Sequence, residues 1–350
     1  MFAIGSGESF DGLAVRTPVV KVFASDDDSR WMMWYTGEGD DGRGKTTSSV
    51  GLATSSDGVT WTRGTTFTET YRNDDERAIG VGKVLWANDG DWWTFDTAGV
   101  SVGDVQLISS NSISGGSVYW MFYHGSDKEV VDGVEGFRTR PGLCLSQDGR
   151  NWARVEGDHH TGALFDVGAA GEWDERCVRD PKVLLAGPGD IRVYYTSIDA
   201  KTGARSIGLA RTKDGFQYAK HAGGAIFGPG PPGAFDDAGV ASPCVVRLGR
   251  EEFIMFYEGY SLKNPNVASI AVATSKDGVS WRRGSSPALV SGDPGSWDAG
   301  GVGKPYAVPM AGDRIRLYYE GRSASDPLRG VGIGVALSSE ANRFDFTRRE

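Results

Sequence analysis

The chain has 350 residues, with 37 Lys and Arg against 46 Asp and Glu, a formal net charge of -9. A surface of that sign repels nucleic-acid phosphates and anionic membranes, so neither is expected as a partner. No apolar run reaches the roughly 18 residues of a membrane span, and Met1-Phe2-Ala3-Ile4-Gly5 does not read as a secretory signal. The four histidines, His159-His160 among them, lack metal-ligand spacing, and Cys144, Cys177 and Cys244 lie in or beside apolar strand-like runs. Buried thiols of a soluble intracellular protein are expected, with no metal and no cofactor.

Phe10-Asp11 is the first copy of a unit that occurs five times. An aromatic precedes Asp, Val follows four residues later and Pro three after that: Phe10-Asp11 leads to Val15 and Pro18, Phe95-Asp96 to Val100 with Gly103 in the Pro place, Trp173-Asp174 to Val178 and Pro181, Phe235-Asp236 to Val240 and Pro243, and Trp297-Asp298 to Val302 and Pro305. Each copy continues with an aromatic-rich run, such as Trp31-Met32-Met33-Trp34-Tyr35 or Phe253-Ile254-Met255-Phe256-Tyr257. These runs are short, β-prone and bounded by Gly or Asp, which predicts strands buried on both faces.

A third run alternates small and aliphatic residues, as in Val50-Gly51-Leu52-Ala53 and Ile207-Gly208-Leu209-Ala210, so that another layer can approach closely. Then comes a turn such as Ser55-Ser56-Asp57-Gly58 or Ser275-Lys276-Asp277-Gly278, where Gly supplies the positive φ and Ser bonds the backbone. Trp61, Trp152 and Trp281 open a short fourth strand; Phe216 or Tyr218 does so in the third copy and Phe344 or Phe346 in the fifth.

Four antiparallel strands cannot bury two apolar faces alone, whereas radial stacking of several such sheets can. The predicted fold is therefore all-β, a five-bladed β-propeller with four antiparallel strands per blade, forming one domain over residues 1–350 with blades at roughly 10–64, 95–156, 173–220, 235–284 and 297–350. The chain starts inside an interblade connection, so the last blade is expected to meet the first by face packing without a strand borrowed from the N-terminus. Insertions at roughly 65–80 and 127–139 are expected to be loops. The aspartates of the aromatic-Asp pairs occur in every copy and are expected to bond backbone NH groups beside the first strand.

The residue before the Pro place differs in every copy: Thr17, Val102, Asp180, Ser242 and Lys304. The position preceding it holds Arg16, Ser101, Arg179, Ala241 and Gly303. In a propeller the first strands line the central channel, so variation there inside an otherwise kept repeat points to a one-sided site.

With Arg179-Asp180-Pro181 on an inner strand and the aromatic-rich and Ser-x-Asp-Gly segments repeating, the chain resembles the five-bladed glycosidase superfamily of arabinanases, invertases, levansucrases and mannoside phosphorylases. The architectural likeness spans essentially the whole chain; the catalytic likeness is one motif. In invertase-like members an Asp-Pro gives the nucleophile, an Arg-Asp-Pro in the next blade the transition-state stabiliser and a Glu-Cys in the blade after that the acid. The resemblance makes Asp180 the stabiliser and Arg179 its neighbour, while Thr17, Val102 and Ser242 stand where other carboxylates would be.

Glycoside hydrolysis ordinarily needs two flanking carboxylates. Glu258 and Glu320, just after the second strand's aromatics, are candidates for the missing catalytic group if they reach the channel, and Asp104 is another. The resemblance also allows phosphorolysis, in which phosphate replaces one carboxylate and Arg16, Arg179, Lys182 and Lys304 hold the anion. His124 occupies the place of Thr36, Thr196, Glu258 and Glu320 after the second strand, suited to bonding a ligand or to a structural role. The expected function is a carbohydrate-active protein that binds a small saccharide or glycan and hydrolyses or phosphorolyses a glycosidic bond, with Asp180 as acid or transition-state stabiliser, Arg16, Arg179 and Lys304 as polar contacts and phosphate as a second partner. The alternative is an inactive propeller serving as a glycan- or protein-binding scaffold.

Overall fold

The computed structural model describes residues 1–7, 9–24, 29–40, 44–63, 82–109 and 117–349; the predicted loop at 65–80 lies outside them. Among these residues every regular element is a strand. The first quartet is Ala14–Ala24, Ser29–Asp40, Thr46–Ser55 and Thr62–Arg63. The second is Gly99–Ser109, Ser117–Ser126, Thr139–Ser146 and Ala153–Val155, and the third Arg179–Gly187, Asp190–Ile198, Arg205–Thr212 and Ala219–Lys220. The fourth is Gly239–Gly249, Glu252–Ser261, Asn264–Ser275 and Arg282–Arg283, and the fifth Gly301–Pro309, Ile315–Arg322, Gly330–Ser338 and Phe346–Arg349. Within each quartet neighbouring strands pair antiparallel in sequence order.

The first strands of the quartets touch one another in cyclic order, the fifth against the first. The Asp-Gly turns make the same circuit. Trp34 Nε1 donates to Gly149 O at 2.8 Å, Tyr194 OH to Gly278 O at 2.9 Å and Tyr318 OH to Gly58 O at 2.7 Å, each from a second strand to the next quartet's turn. The turns are built as the sequence predicts: Gly58, Gly149, Gly215 and Gly278 have φ of 70°, 74°, 89° and 72°, and Ser55 Oγ accepts Gly58 N–H at 2.8 Å.

The aromatic of each aromatic-Asp pair explains the small residue of the third strand. Trp173 stacks on Tyr195 with ring centroids 5.8 Å apart, and a Cβ at Gly208 would lie 2.5 Å from Tyr195 Cζ and 2.8 Å from Trp173. Gly51, Gly142 and Gly334 are overlain in the same way by Phe10 and Tyr35, Phe95 and Tyr123, and Trp297 and Tyr319. The predicted close layer is this aromatic pair.

Two expectations are corrected. The N-terminus does lend a strand: Phe2–Ala3 pairs with the third strand of the fifth quartet, Phe2 opposite Ile333. Phe227 opposite Ile207 and Leu289 opposite Ile270 do the same elsewhere, because each connection presses one apolar side chain onto the preceding quartet. The loop at 127–139 holds a small hairpin, Val130–Val131 with Val134–Glu135.

The motif aspartates bond side chains instead of the expected backbone NH groups: among the described residues no backbone N–H reaches their carboxylates, and one oxygen each of Asp96 and Asp236 has no partner. Asp11, Asp96, Asp174, Asp236 and Asp298 are each at most 2% exposed, and each accepts the second-strand tyrosine hydroxyl, Tyr35, Tyr123, Tyr195, Tyr257 or Tyr319, at 2.9–3.1 Å. Each also takes a cation from the fourth strand, in order Arg63, Arg154, Lys220, Arg283 and Arg348. That cation stands two residues after Trp61, Trp152, Tyr218, Trp281 and Phe346, which selects Tyr218 and Phe346 from the sequence alternatives. One clasp thus ties the entry loop, second strand and fourth strand of every quartet.

Candidate functional site

The first strands are interrupted where the sequence varies. Thr17, Asp180, Ser242 and Lys304 have φ of 50°, 55°, 50° and 48°, and the pairing to the second strand slips between Arg16 and Val19, Arg179 and Lys182, Ala241 and Cys244, and Gly303 and Tyr306. Pro is the cause, since it cannot donate to the ladder and is forced into a bulge. Left-handed backbone at a non-Gly residue costs about 1–2 kcal/mol, and such strain gathers at functional sites. In the second quartet, where Gly103 replaces Pro, the slip is shorter, between Val102 and Asp104.

Among the described residues, four of the five bulges, all but that at Thr17, are held by the preceding quartet. Thr36 Oγ1 accepts Val102 N–H at 3.1 Å, His124 Nδ1 accepts Asp180 N–H at 3.2 Å, Thr196 Oγ1 accepts Ser242 N–H at 2.8 Å and Glu258 Oε1 accepts Lys304 N–H at 2.7 Å. The residue after the second strand's aromatics is therefore a latch between neighbouring quartets. Because His124 Nδ1 is an acceptor, its Nε2 carries the proton. The enclosure of the ring lowers its pKa to about 3 against the pull of Asp180.

Asp180 is 2% exposed. Lys304 Nζ lies 2.7 Å from its Oδ2, and Ser242 Oγ donates to the same oxygen at 3.2 Å. Burial opposes ionisation, but Lys304, with His124 and Arg179, outweighs it and holds the carboxyl well below the usual range. Lys304 is raised in turn: enclosure works against its charge, and Asp180, Glu258 and Glu320 overcome this.

Glu258 and Glu320 share Arg322. Its Nη2 is 3.2 Å from Glu258 Oε1 and its Nε 2.8 Å from Glu320 Oε1. Tyr260 OH donates to Glu258 Oε2, and the guanidinium of Arg205 lies 4.4 Å from the Tyr260 ring centroid. Burial resists the charge of Glu258, yet Arg322 and Lys304 bring its pKa to about 2. Arg16 Nε reaches Glu38 at 2.8 Å and its Nη1 lies 4.0 Å from Glu320, while Arg179 Nη2 donates to Phe137 O at 2.9 Å.

Two cavities of about 280 and 300 Å³ meet at this point, both lined by Arg16, Arg179, Asp180 and Lys304. The first adds Ser242, Glu258, Tyr260 and Arg322; the second adds Thr17 and His124. Nine of the eleven residues singled out from the sequence therefore lie around one cleft, with Glu320 behind it on Arg322. The other two, Asp104 and Lys182, line a different cavity with Cys244 and Tyr306, so Lys182 does not join Arg16, Arg179 and Lys304 as expected. Sequence reading missed Arg322 and Tyr260. Each stands two residues after a flagged glutamate, hence on the same strand face, which was the available signal.

No family model matches the chain. Two uncharacterized proteins of Mycobacterium tuberculosis, from strains CDC 1551 / Oshkosh and ATCC 25618 / H37Rv, are each 25% identical over 248 residues, 69% of this chain and 72% of theirs. Among solved structures, the BT0996–RGII complex superposes with a TM-score of 0.68 at 16% identity, covering 98% of this protein and 92% of that one. A protein of the GH130 mannoside phosphorylase family, described as hydrolysing β-1,2 mannosidic linkages of Candida mannan, gives 0.60 at 16% identity, covering 98% and 94%. A β-1,2-mannobiose phosphorylase from Listeria innocua, in complex with β-1,2-mannobiose, gives 0.59 at 14%, covering 94% and 91%. At such identities the likeness is one of fold: the chain has the all-β, glycosidase-like architecture of these proteins.

Proposed function

We propose that the five quartets are the blades of one five-bladed β-propeller of the glycosidase superfamily, and that the chain binds a saccharide in the cleft around Asp180. The observation that carries this reading is the junction of the two cavities. A buried, ionised carboxylate on a strained bulge is clasped there by Lys304 and flanked by Arg16 and Arg179. Strain kept at four positions that differ in chemistry favours function over mere packing.

The reaction the site suits best is phosphorolysis. Glu258 is taken up at both oxygens by Arg322, Tyr260 and the Lys304 amide, and Glu320 lines neither cavity, whereas Asp180 lines both, so Asp180 is the carboxylate placed to act on a glycosidic oxygen. Cations beside it suit an oxyanion. Dihydrogen phosphate bound against Lys304 weakens the attraction that keeps Asp180 ionised, letting Asp180 relay the phosphate's proton. The anomeric carbon–oxygen bond then breaks, a phosphate oxygen forms the new bond to that carbon, and the leaving oxygen takes the proton, giving a sugar phosphate and an alcohol. Ser242 Oγ and His124 Nε2–H supply polar contacts to sugar hydroxyls.

The second reading is a glycan-binding propeller without catalysis, favoured by the strength with which Lys304 holds Asp180 charged. Mannosides and other oligosaccharides titrated with and without inorganic phosphate, on wild type and Asp180→Ala, separate the two. Phosphate-dependent release of a sugar phosphate, lower in the variant by a factor on the order of 1,000, is the expected result. Binding without turnover supports the inert reading; equal, negligible responses from both proteins remove both.

A further inference from the structure

Beyond the Asp180 cleft the first strands carry a second ring of side chains, two residues further along: Val19, Asp104, Lys182, Cys244 and Tyr306, all at most 5% exposed. All of these but Val19 line a separate cavity of about 280 Å³ that runs out to the exposed Leu185, Arg247 and Pro309. Lys182 is 3% exposed, and its Nζ makes no hydrogen bond to any of the described residues. The nearest formal counter-charge is already saturated. Asp104 Oδ1 takes Val105 N–H at 2.8 Å and Tyr306 OH at 3.1 Å, while its Oδ2 takes Val183 N–H at 2.9 Å and the Gln106 amide at 3.1 Å.

A second amine points at the same place: Lys182 Nζ lies 4.8 Å and Lys21 Nζ 5.7 Å from the Tyr306 ring centroid. Arg247, at the mouth, spends its donors on the carbonyls of Ala186, Gly249 and Arg250. The cavity wall thus carries two ammonium groups and one carboxylate with no free lone pair. Metal cations are repelled from such a wall, and a ligand that must donate hydrogen bonds finds Asp104 occupied. A buried ammonium left unpaired costs several kcal/mol, which a bound anion offsets.

We propose that this cavity is a binding site for a small oxyanion of the phosphate class, held by Lys182 with Lys21 beside it, distinct from the sugar cleft and independent of whether that cleft is catalytic. The test uses inorganic phosphate, with calorimetric titration of wild type, Lys182→Met and Asp180→Ala at constant ionic strength. Wild type and Asp180→Ala are expected to share one site that Lys182→Met lacks, and crystals soaked in phosphate are expected to show it within hydrogen-bond distance of Lys182 Nζ. Without phosphate, Lys182→Met should melt no lower than wild type, because the substitution removes an unpaired charge while keeping the side chain's length. If Lys182→Met does not fold, Cys244→Asp, which sets a counter-charge beside the ammonium, should abolish the same site. Unchanged phosphate stoichiometry in these variants, or soaked phosphate found only beside Asp180, overturns the proposal.

Discussion

Two rings of side chains sit in this molecule under opposite rules. The outer ring, Asp11, Asp96, Asp174, Asp236 and Asp298, repeats one arrangement five times with a tyrosine hydroxyl and a fourth-strand cation. The inner ring has one aspartate, Asp180, among Thr17, Val102, Ser242 and Lys304, and four of those five positions carry left-handed backbone. Where every unit needs the same tie, repetition keeps it; where unlike groups must converge on one point, repetition is given up and strain is tolerated. Outer substitutions should therefore cost stability, and inner ones should cost ligand response or even stabilise.

The sharpest break in that contrast is Asp174→Ala. It leaves Tyr195 OH and Lys220 Nζ without their acceptor in a buried site and should cost about 3 kcal/mol in denaturant unfolding. Gly208→Val tests the aromatic pair above the clasp and should cost about 2 kcal/mol by overpacking, with little change in saccharide binding.

The inner ring should respond to pH. His124 stays neutral in the fold with a pKa near 3, so as pH falls below about 6.5 the unfolded chain takes up a proton that the folded chain refuses. The stability present above pH 6.5 is then lost progressively toward pH 3, by about 2 kcal/mol between pH 7 and 5. His124→Gln, which keeps an acceptor for the Asp180 amide, should flatten that loss in thermal melts across the range; an unchanged slope would assign the loss elsewhere.

The smallest effect has the opposite sign. Thr17→Gly relieves a β-branched residue at φ of 50° and should raise stability by about 1 kcal/mol, whereas glycine in place of an outer aspartate should only lower it. Loss of stability on Thr17→Gly would show that its backbone is not a source of strain.

Much of this was legible in the chain. Asp-Gly fixed the turns, the aromatic runs marked the second strands, and the changing residue before Pro picked out the positions that proved to carry left-handed backbone. The cation of each clasp was also present, two residues after the fourth-strand aromatic, but it is readable only once that aromatic is aligned, which in the third and fifth quartets it was not.

What the sequence determined by itself was local: which stretches are strands, where they turn, and, through the two-residue period, which side chains share a face. What only the tertiary structure decided was partnership between quartets: that Glu258 and Glu320 turn to Arg322, that His124 latches Asp180, that Asp104 faces the other cavity, and that Phe2–Ala3 joins the last sheet. The reason is range. Strand periodicity acts between neighbours in the chain, whereas the charges and hydrogen bonds of the cleft join residues from Arg16 to Arg322, whose proximity exists only after the sheets have packed around one another.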